Sequence, residues 1–331
     1  MPDFSQSFIN SEQLPLLIEA RTKHLPIVPF LQEQRLMLIE NILRYGGVLL
    51  RGFPIADAKD FETVIETIQL GKTVNYIGGD SPRVKVRGGI YTSTEAPPSV
   101  KIPLHNELSF VKFFPRHIYF FCETPAPIGG ETILGDARKI YQSVHKDVMD
   151  RFTQKEIQYA SSYYYKSLFM EWVNSLQPSH KTWRDVFETD DKNAVETLCR
   201  ENEFAFTWLK KDWLKISQTR PAVLAHPTTN EKVWFNQVHL YDFNPKLLGW
   251  WRYIGAKLFY FQKDTRLHEV SFADGMRISR SDIYHVLNVL DANTVKFSWA
   301  KGDVLILDNV LAMHGRAPFS GKRRVLAAMT A

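Results

Sequence analysis

The chain has little of several features that define other classes of protein. Its 331 residues include only two cysteines, Cys122 and Cys199. Two thiols cannot form a disulfide framework, so we expect a reducing, cytoplasmic compartment. The N-terminus has no basic segment followed by an apolar one, and no apolar run approaches the roughly 18 residues of a membrane span. Neither a signal peptide nor a membrane partner is therefore expected.

An excess of charge of one sign is also missing. The sequence has 41 basic and 36 acidic residues, and its densest basic cluster is Lys322-Arg323-Arg324. Such a mild balance does not favour a nucleic-acid partner. What the chain does have is apolar material, with 44% hydrophobic and 13% aromatic residues. That content is enough for a large core, and no internal repeat divides it.

Short apolar runs rich in β-branched or aromatic residues occur in both halves of the chain, at 48–53, 116–123, 131–134, 295–299, 304–307 and 324–329. They predict strands of a mainly β fold with helical insertions, a double-stranded β-helix or jelly roll. We expect one domain over residues 1–331, with its core at about 47–136 and 231–331. Helical patterns and many aromatic residues, such as Trp172, Trp183 and Trp208, predict a partly helical insertion at about 137–230.

Helices are also predicted outside that insertion. Apolar residues at helical spacing indicate a helix over 32–45, and Asp57 is a candidate N-cap of a second helix that ends at Gly71. Two further helices are expected at 247–261 and 281–291.

A metal site is predicted from His105, Glu107 and His314. Side chains alternate along a strand, so His105 and Glu107 should face the same side, and a carboxylate buried in this apolar run needs a partner or a metal. Two imidazoles and one carboxylate leave metal positions open, as in non-haem Fe(II) oxygenases. A solvent-exposed strand is the alternative for His105 and Glu107, and His239 is the second choice for the distant histidine.

The pair Arg323-Arg324 suggests an anion site. Neighbouring residues of a strand face opposite sides, so one of the two arginines should be buried and should need an anion. Arg324 lies ten positions after His314, and a hairpin would bring it beside the metal, where it could bind the far carboxylate of a dicarboxylate co-substrate. An exposed arginine pair is the alternative.

Five motifs, in this order, resemble the taurine dioxygenase family of Fe(II)/2-oxoglutarate-dependent oxygenases. Within that family the chain most resembles the branch similar to clavaminate synthase and to the amino-acid hydroxylases of peptide-antibiotic pathways. The motifs are His105-Asn106-Glu107, Gly129-Gly130-Glu131-Thr132, Trp234-Phe235-Asn236-Gln237, Asp308-Asn309 followed by His314-Gly315-Arg316, and Arg323-Arg324.

The resemblance implies a role for particular residues. His105, Glu107 and His314 match the iron ligands, and Thr132 and Arg324 match the residues that bind the far carboxylate of 2-oxoglutarate. The implied cofactors are Fe(II), 2-oxoglutarate as co-substrate, and O₂.

The substrate site is less clearly implied. Several relatives hold an acidic substrate with a second arginine, where this chain has Ala328. Arg316 could serve instead, or it could cap its loop. Trp234 and Asn236, expected on one face of a strand, are further candidates for the substrate pocket.

The resemblance implies oxidation of an unactivated C–H bond, most simply hydroxylation, of an amino acid or amino-acid-derived substrate in specialised metabolism. Desaturation, epoxidation and cyclisation are alternatives, whereas Glu107 disfavours halogenation. A non-catalytic metal-binding jelly roll and a zinc hydrolase are alternatives from other classes. The expected partner is a small molecule, free or carried by an acidic carrier protein, and the sequence does not indicate an oligomeric state.

Overall fold

The fold is known from a computed structural model that describes residues 3–22, 24–74, 83–94, 96–166, 170–171, 181–260 and 266–331. Within these ranges no helix is both long and apolar enough to cross a membrane. The strands are β1 Phe4–Phe8, β2 Leu16–Ala20, β3 Gly47–Arg51, β4 Lys85–Arg87, β5 Ile90–Thr92, β6 Ile102–His105, β7 His117–Thr124, β8 Ile128–Gly129, β9 Thr132–Asp136, β10 Ile157–Tyr163, β11 Ala205–Leu209, β12 Trp213–Arg220, β13 Val223–Ala225, β14 Lys232–Trp234, β15 His268–Phe272, β16 Val295–Phe297, β17 Val304–Asp308, β18 Ala312–Arg316, β19 Phe319–Ser320 and β20 Arg324–Thr330. The helices are α1 Ile27–Glu33, α2 Arg35–Tyr45, α3 Ala58–Ile68, α4 Ala137–Ser143, α5 Lys146–Lys155, α6 Trp183–Phe187, α7 Lys192–Glu201, α8 Val238–Tyr241, α9 Pro245–Leu248, α10 Trp250–Tyr260 and α11 Arg280–Ala292, with a 3₁₀ turn at Lys210–Asp212.

Two sheets form the centre of a structure that is mostly sheet with helices. The larger has eight strands in the order β1-β2-β3-β17-β7-β20-β5-β4, and the smaller has four in the order β16-β9-β18-β6. The sheets face each other across an apolar core, in which Leu49, Phe120 and Leu305 of the larger sheet meet Leu134 and Phe297 of the smaller. The predicted strands 116–123, 131–134, 295–299, 304–307 and 324–329 all lie in these sheets.

Helices cover the outer face of the larger sheet. On α3, Phe61 stacks on Phe121 of β7 with ring centroids 5.5 Å apart. The predicted cap of this helix is confirmed, because the Asp57 side chain accepts hydrogen bonds from the backbone N–H groups of Lys59 and Asp60. The predicted helix over 32–45 is instead two helices, α1 and α2, which meet at Gln34.

The expected limits of the insertion are wrong. A third sheet, β11-β12-β10-β15, takes its edge strand β15 from residues 268–272, so this layer continues well beyond residue 230. The central sheets resume only at Val295, and at the other end they begin with β1 and β2, before residue 47. The pairing of β10 with β15 joins residues more than 100 positions apart, which no local periodicity encodes.

The aromatic residues of this layer mainly pack in its core. Trp183 and Trp208 contact each other edge to face, with ring centroids 5.4 Å apart. Trp172 lies outside the described residues.

The helix predicted over 247–261 is divided into α9 and α10 at Gly249, whose φ of +75° is a left-handed conformation that favours glycine. Phe261, its predicted last residue, also lies outside the described residues, whereas the predicted helix 281–291 is α11.

Candidate metal centre

The structure brings His105, Glu107 and His314 together, as the sequence predicted. Among the described residues these three form the one histidine, cysteine and carboxylate cluster with metal-binding spacing, and one donor atom from each lies within 4.8 Å of the others. His105 ends β6 and lies directly opposite His314 of β18, and their ring centroids are 4.5 Å apart. The Nε2 atom of His314 is 3.6 Å from Oε2 of Glu107.

Glu107 reaches the cluster by a different route from the predicted one. Strand β6 ends at His105, and Glu107 lies in the turn that follows, where Leu108 has a φ of +52°. Strand alternation therefore does not place His105 and Glu107 on one side, and that part of the prediction is wrong. The turn, buried in the protein, aims the carboxylate at the two imidazoles instead.

Burial and hydrogen bonding keep His105 in the neutral form, which is the form that binds metals. Burial, and to a smaller extent the neighbouring His314, lower the pKa of His105 to about 3, so the imidazole is neutral at ordinary pH. Its Nδ1 lies 2.9 Å from the carbonyl oxygen of Pro103, an acceptor, so Nδ1 carries the proton. The lone pair of Nε2 is then free for a metal.

The carboxylate is charged despite its burial. Burial by itself raises the pKa of Glu107, but the positive charge of Arg83, with its guanidinium 2.6 Å away, and the two neighbouring histidines lower it by more, so the net shift is downward. Two imidazoles and a deprotonated carboxylate that converge, with Glu107 and His314 buried and His105 half-buried, fit a divalent iron ion. Arg83 was not recognised in the sequence, because no local motif marks it.

A cavity opens beside the three side chains. Its wall includes His105, His314, Thr132, Arg316 and Arg323. Thr132 is buried, and its Oγ1 accepts a hydrogen bond of 3.0 Å from the indole N–H of Trp299, which orients the hydroxyl. Thr132 therefore lines the same cavity as His105 and His314, and its role in binding 2-oxoglutarate stays a prediction.

Arg324 does not face this cavity, and its predicted placement is wrong. Its side chain is 46% exposed and forms an ion pair with Glu123 at 2.6 Å. Arg323 lies on the inner face instead and donates from Nε to the carbonyl oxygen of Gly130 at 3.0 Å. Val325, the next residue of β20, belongs to the core between the sheets, so strand alternation turns Arg324 outwards.

Arg323 and Arg316 form a cationic wall. Burial, and to a smaller extent the positive charge of Arg316, lower the pKa of Arg323 to about 10. Both guanidinium groups lie over the ring of Phe319, at 5.0 Å for Arg316 and 5.6 Å for Arg323. Arg316 also caps the loop 96–100, because it donates to the carbonyl oxygens of Ala96, Pro97 and Val100. Arg316 therefore holds a loop distant in sequence rather than its own, and it also lines the cavity.

Trp234 and Asn236 do not line the cavity, and that prediction is wrong. Trp234 is fully buried against Phe152, with ring centroids 5.3 Å apart. The Asn236 amide donates to the carbonyl oxygen of Ala222 at 2.9 Å. Strand β14 ends at Trp234, so the alternation that was expected to align the two residues does not extend to Asn236.

His239, the second choice for the distant ligand, has a structural place. Its Nε2 lies 2.9 Å from the carbonyl oxygen of Leu104, on the strand that carries His105. It supports β6 from behind and is not part of the cluster.

Two histidines and one carboxylate converge beside two facing sheets, and this donor set suits a mononuclear non-haem metal enzyme. The chain belongs to the taurine catabolism dioxygenase TauD, TfdA family, whose model matches residues 10–330.

The chain is similar to two curated proteins over most of its length. It is 30% identical to a clavaminate synthase-like protein of Arabidopsis thaliana, over 98% of this chain and 96% of the relative. It is 32% identical to the dapdiamide synthesis protein DdaC of Enterobacter agglomerans, over 88% of this chain and 84% of the relative. Its fold is similar to that of PvcB from Pseudomonas aeruginosa, described as an Fe, alpha-ketoglutarate dependent oxygenase, with a TM-score of 0.52, 14% identity, and coverage of 99% of this chain and 91% of that one.

The protein is therefore an enzyme, an Fe(II)/2-oxoglutarate-dependent oxygenase with O₂ as co-substrate. The alternatives of a non-catalytic metal-binding domain and of a zinc hydrolase are wrong for this family.

Proposed function

We propose that this enzyme hydroxylates an unactivated C–H bond of an amino acid or amino-acid-derived small molecule in specialised metabolism. The observation that carries the proposal is the cationic cavity beside the three candidate ligands, since arginines in its wall suit a substrate with a carboxylate. Relatives support the class of substrate: DdaC is named for dapdiamide synthesis, and PvcB is described as part of an isonitrile synthetic pathway.

In this proposal His105, Glu107 and His314 hold the Fe(II), which, with 2-oxoglutarate bound, supplies the oxidant for the C–H bond from O₂. The neutral His105 and the charged Glu107 need no proton loss before they bind the metal. Outside the cluster, Phe120 packs on His314 with ring centroids 5.1 Å apart, which limits the orientation of that imidazole.

We further propose that Arg323 and Thr132 bind the far carboxylate of 2-oxoglutarate. Arg323 replaces Arg324 in this role because, of these two neighbours, it is Arg323 that lines the cavity. A buried guanidinium binds a carboxylate through charge-assisted hydrogen bonds, and the Thr132 hydroxyl, held by Trp299, can donate one more. The apolar side chains of Ile102, Phe120 and Val325 line the same cavity and exclude water from the reacting bond.

Several broader expectations belong to the same proposal. The two facing sheets would be the halves of a jelly roll. The substrate would be a small molecule, free or attached to an acidic carrier protein, and two buried free thiols, Cys122 and Cys199, suit a reducing, cytoplasmic compartment.

Turnover with a panel of substrates tests the proposal. Purified enzyme with Fe(II), 2-oxoglutarate and ¹⁸O₂ is offered free L-amino acids, their amides, and amino acids tethered to a carrier protein. Succinate release is measured together with the mass of each product. Hydroxylation adds one labelled oxygen atom, whereas desaturation or cyclisation removes hydrogen and adds none, so a product without label would overturn hydroxylation. Because epoxidation also adds oxygen, the site of the label is located by fragmentation.

The assignment of the ligands has its own test. His105→Ala and His314→Ala should each abolish Fe(II)-dependent succinate formation, because each removes one of three donors, while far-ultraviolet circular dichroism stays unchanged. His145→Ala, a change at an exposed histidine distant from the cluster, is the control and should retain full turnover. Succinate formation that persists in either ligand variant would refute the assignment.

A further inference from the structure

The side chain of Asn309 holds the peptide backbone of Glu107. Its Oδ1 accepts a hydrogen bond of 2.7 Å from the N–H of Glu107, and its Nδ2 donates one of 2.9 Å to the carbonyl oxygen of the same residue. Nδ2 also donates to the carbonyl oxygen of Pro115 at 2.8 Å. One primary amide therefore satisfies both backbone groups of a candidate metal ligand, as a neighbouring strand would.

This contact is buried and belongs to a network of amides. Asn309 is fully buried, and its carbonyl oxygen accepts a 2.6 Å hydrogen bond from Nδ2 of Asn106. The carbonyl oxygen of Asn106 in turn accepts one of 2.5 Å from Nε2 of Gln237. Three sequence motifs, separated by up to 203 residues, thus meet at the turn that carries Glu107.

The turn needs such support because no strand provides it. Strand β6 ends at His105, and the left-handed φ of Leu108 takes the backbone out of extended geometry. Asn309 stands five residues before His314, on the segment that joins β17 to β18. The hydrogen bonds of Asn309 therefore fix the backbone of Glu107 relative to the segment that leads into His314.

We propose that Asn309 is a positioning residue of the metal centre, which acts by fixing the backbone of Glu107 at coordinating distance from the histidines. It touches neither the metal nor the substrate. The inference rests on the proposed assignment of His105, Glu107 and His314 as metal ligands.

The test measures metal affinity apart from turnover. Apo protein is titrated with Co(II), whose visible absorption reports both affinity and coordination. Asn309→Ala should weaken Co(II) binding by about tenfold or more, the usual effect of losing a residue that orients a ligand. Asn244→Ala is the matched control, because Asn244 is also a fully buried asparagine, but its side chain bonds to Asp242 and to the backbone N–H of Leu247 and is not part of this network. That variant should lose stability and keep its Co(II) affinity and spectrum.

A double-mutant cycle separates positioning from general destabilisation. In a Glu107→Ala background, Asn309→Ala should cause no further loss of Co(II) affinity, since the carboxylate that it positions is gone. An additional loss equal to that in the parent protein would overturn the proposal, as would unchanged affinity in the Asn309→Ala single variant.

The same cycle distinguishes failure of the ligand assignment. If Glu107→Ala itself binds Co(II) as tightly as the parent, the assignment of Glu107 fails, whatever Asn309 does. Should Asn309→Ala not fold, Gln237→Ala, one hydrogen bond further along the network, takes its place in the cycle. We expect Gln237→Ala to weaken Co(II) binding about two- to tenfold. This loss must also disappear when the Glu107 carboxylate is absent. Unchanged affinity in Gln237→Ala would then overturn the proposal.

Discussion

At the scale of single residues, two neighbouring side chains of the same chemistry lie in different environments. Arg323 and Arg324 carry the same guanidinium, yet Arg323 is half-buried in the wall of the cavity and Arg324 forms an ion pair with Glu123 near the surface. An exposed ion pair contributes little to stability, whereas a cation withdrawn from water into a cavity favours binding of an anion. The two arginines should therefore respond differently to the same substitution.

Replacing each arginine with glutamine tests this difference. Arg323→Gln should weaken 2-oxoglutarate binding by about 1.5–3 kcal/mol, or roughly 10- to 100-fold, because a charge-assisted contact is lost. Arg324→Gln, the matched control, should bind 2-oxoglutarate as the parent does. Binding is followed anaerobically through the visible charge-transfer absorption of the Fe(II) complex. Equal affinities in the two variants would contradict the role of Arg323.

His239 should make folding sensitive to acid. Burial lowers its pKa from 6.5 to about 4, so below pH 6.5 the unfolded chain binds a proton that the folded protein does not. Stability is therefore lost as the pH falls from 6.5 to 4, by about 3 kcal/mol for this group. In His239→Gln the free energy of unfolding, measured by urea titration, should fall less over this range. His145→Gln, at an exposed histidine, should behave as the parent; an unchanged pH dependence in His239→Gln would contradict the prediction.

At the scale of strands, the site depends on how closely β6 and β18 approach. Gly315 follows His314 on β18, and a Cβ at that position would lie 2.8 Å from the carbonyl oxygen of Pro103 and 2.9 Å from a side-chain carbon of Ile133. Both distances are shorter than ordinary contacts. The absence of a side chain at Gly315 lets His314 pair directly with His105.

Gly315→Ala should separate these strands. We expect a loss of about 1–3 kcal/mol in the free energy of unfolding, the usual cost of overpacking, together with weaker metal binding. Gly255→Ala is the control, because that residue lies within α10 with no described atom near its added Cβ. Alanine should be neutral there or stabilise by up to about 1 kcal/mol. Urea denaturation compares the two variants, and a Gly315→Ala protein as stable as the parent would contradict the close approach.

At the scale of the whole molecule, the centre joins parts of the chain that are distant in sequence. Glu107 and His314 are 207 positions apart in the sequence, yet β6, which ends just before Glu107, and β18, which carries His314, are paired neighbours in the smaller sheet. The cluster can therefore assemble only in the folded protein. A metal that binds the folded state and not the unfolded one must stabilise the whole structure.

Thermal unfolding should report this coupling. Mn(II), as an inert substitute for Fe(II), should stabilise the protein by about 2.7 kcal/mol at a concentration of roughly 100 times its dissociation constant. A chelator should reverse the effect, and His314→Ala should abolish it. A melting temperature that does not respond to Mn(II) in the parent would contradict a preformed site.

The sequence alone determined the mainly β class, most of the central strands, the three candidate ligands and Thr132. The reason is that the apolar pattern and the order of the motifs are properties of the sequence itself and need no knowledge of the folded structure. Only the tertiary structure decided which arginine faces the cavity. Val325 and Leu326 are both buried, on opposite faces of β20, so hydrophobicity could not distinguish inside from outside. Likewise the position of Glu107 depends on a turn and on Asn309, and such long-range contacts form only when the sheets have packed.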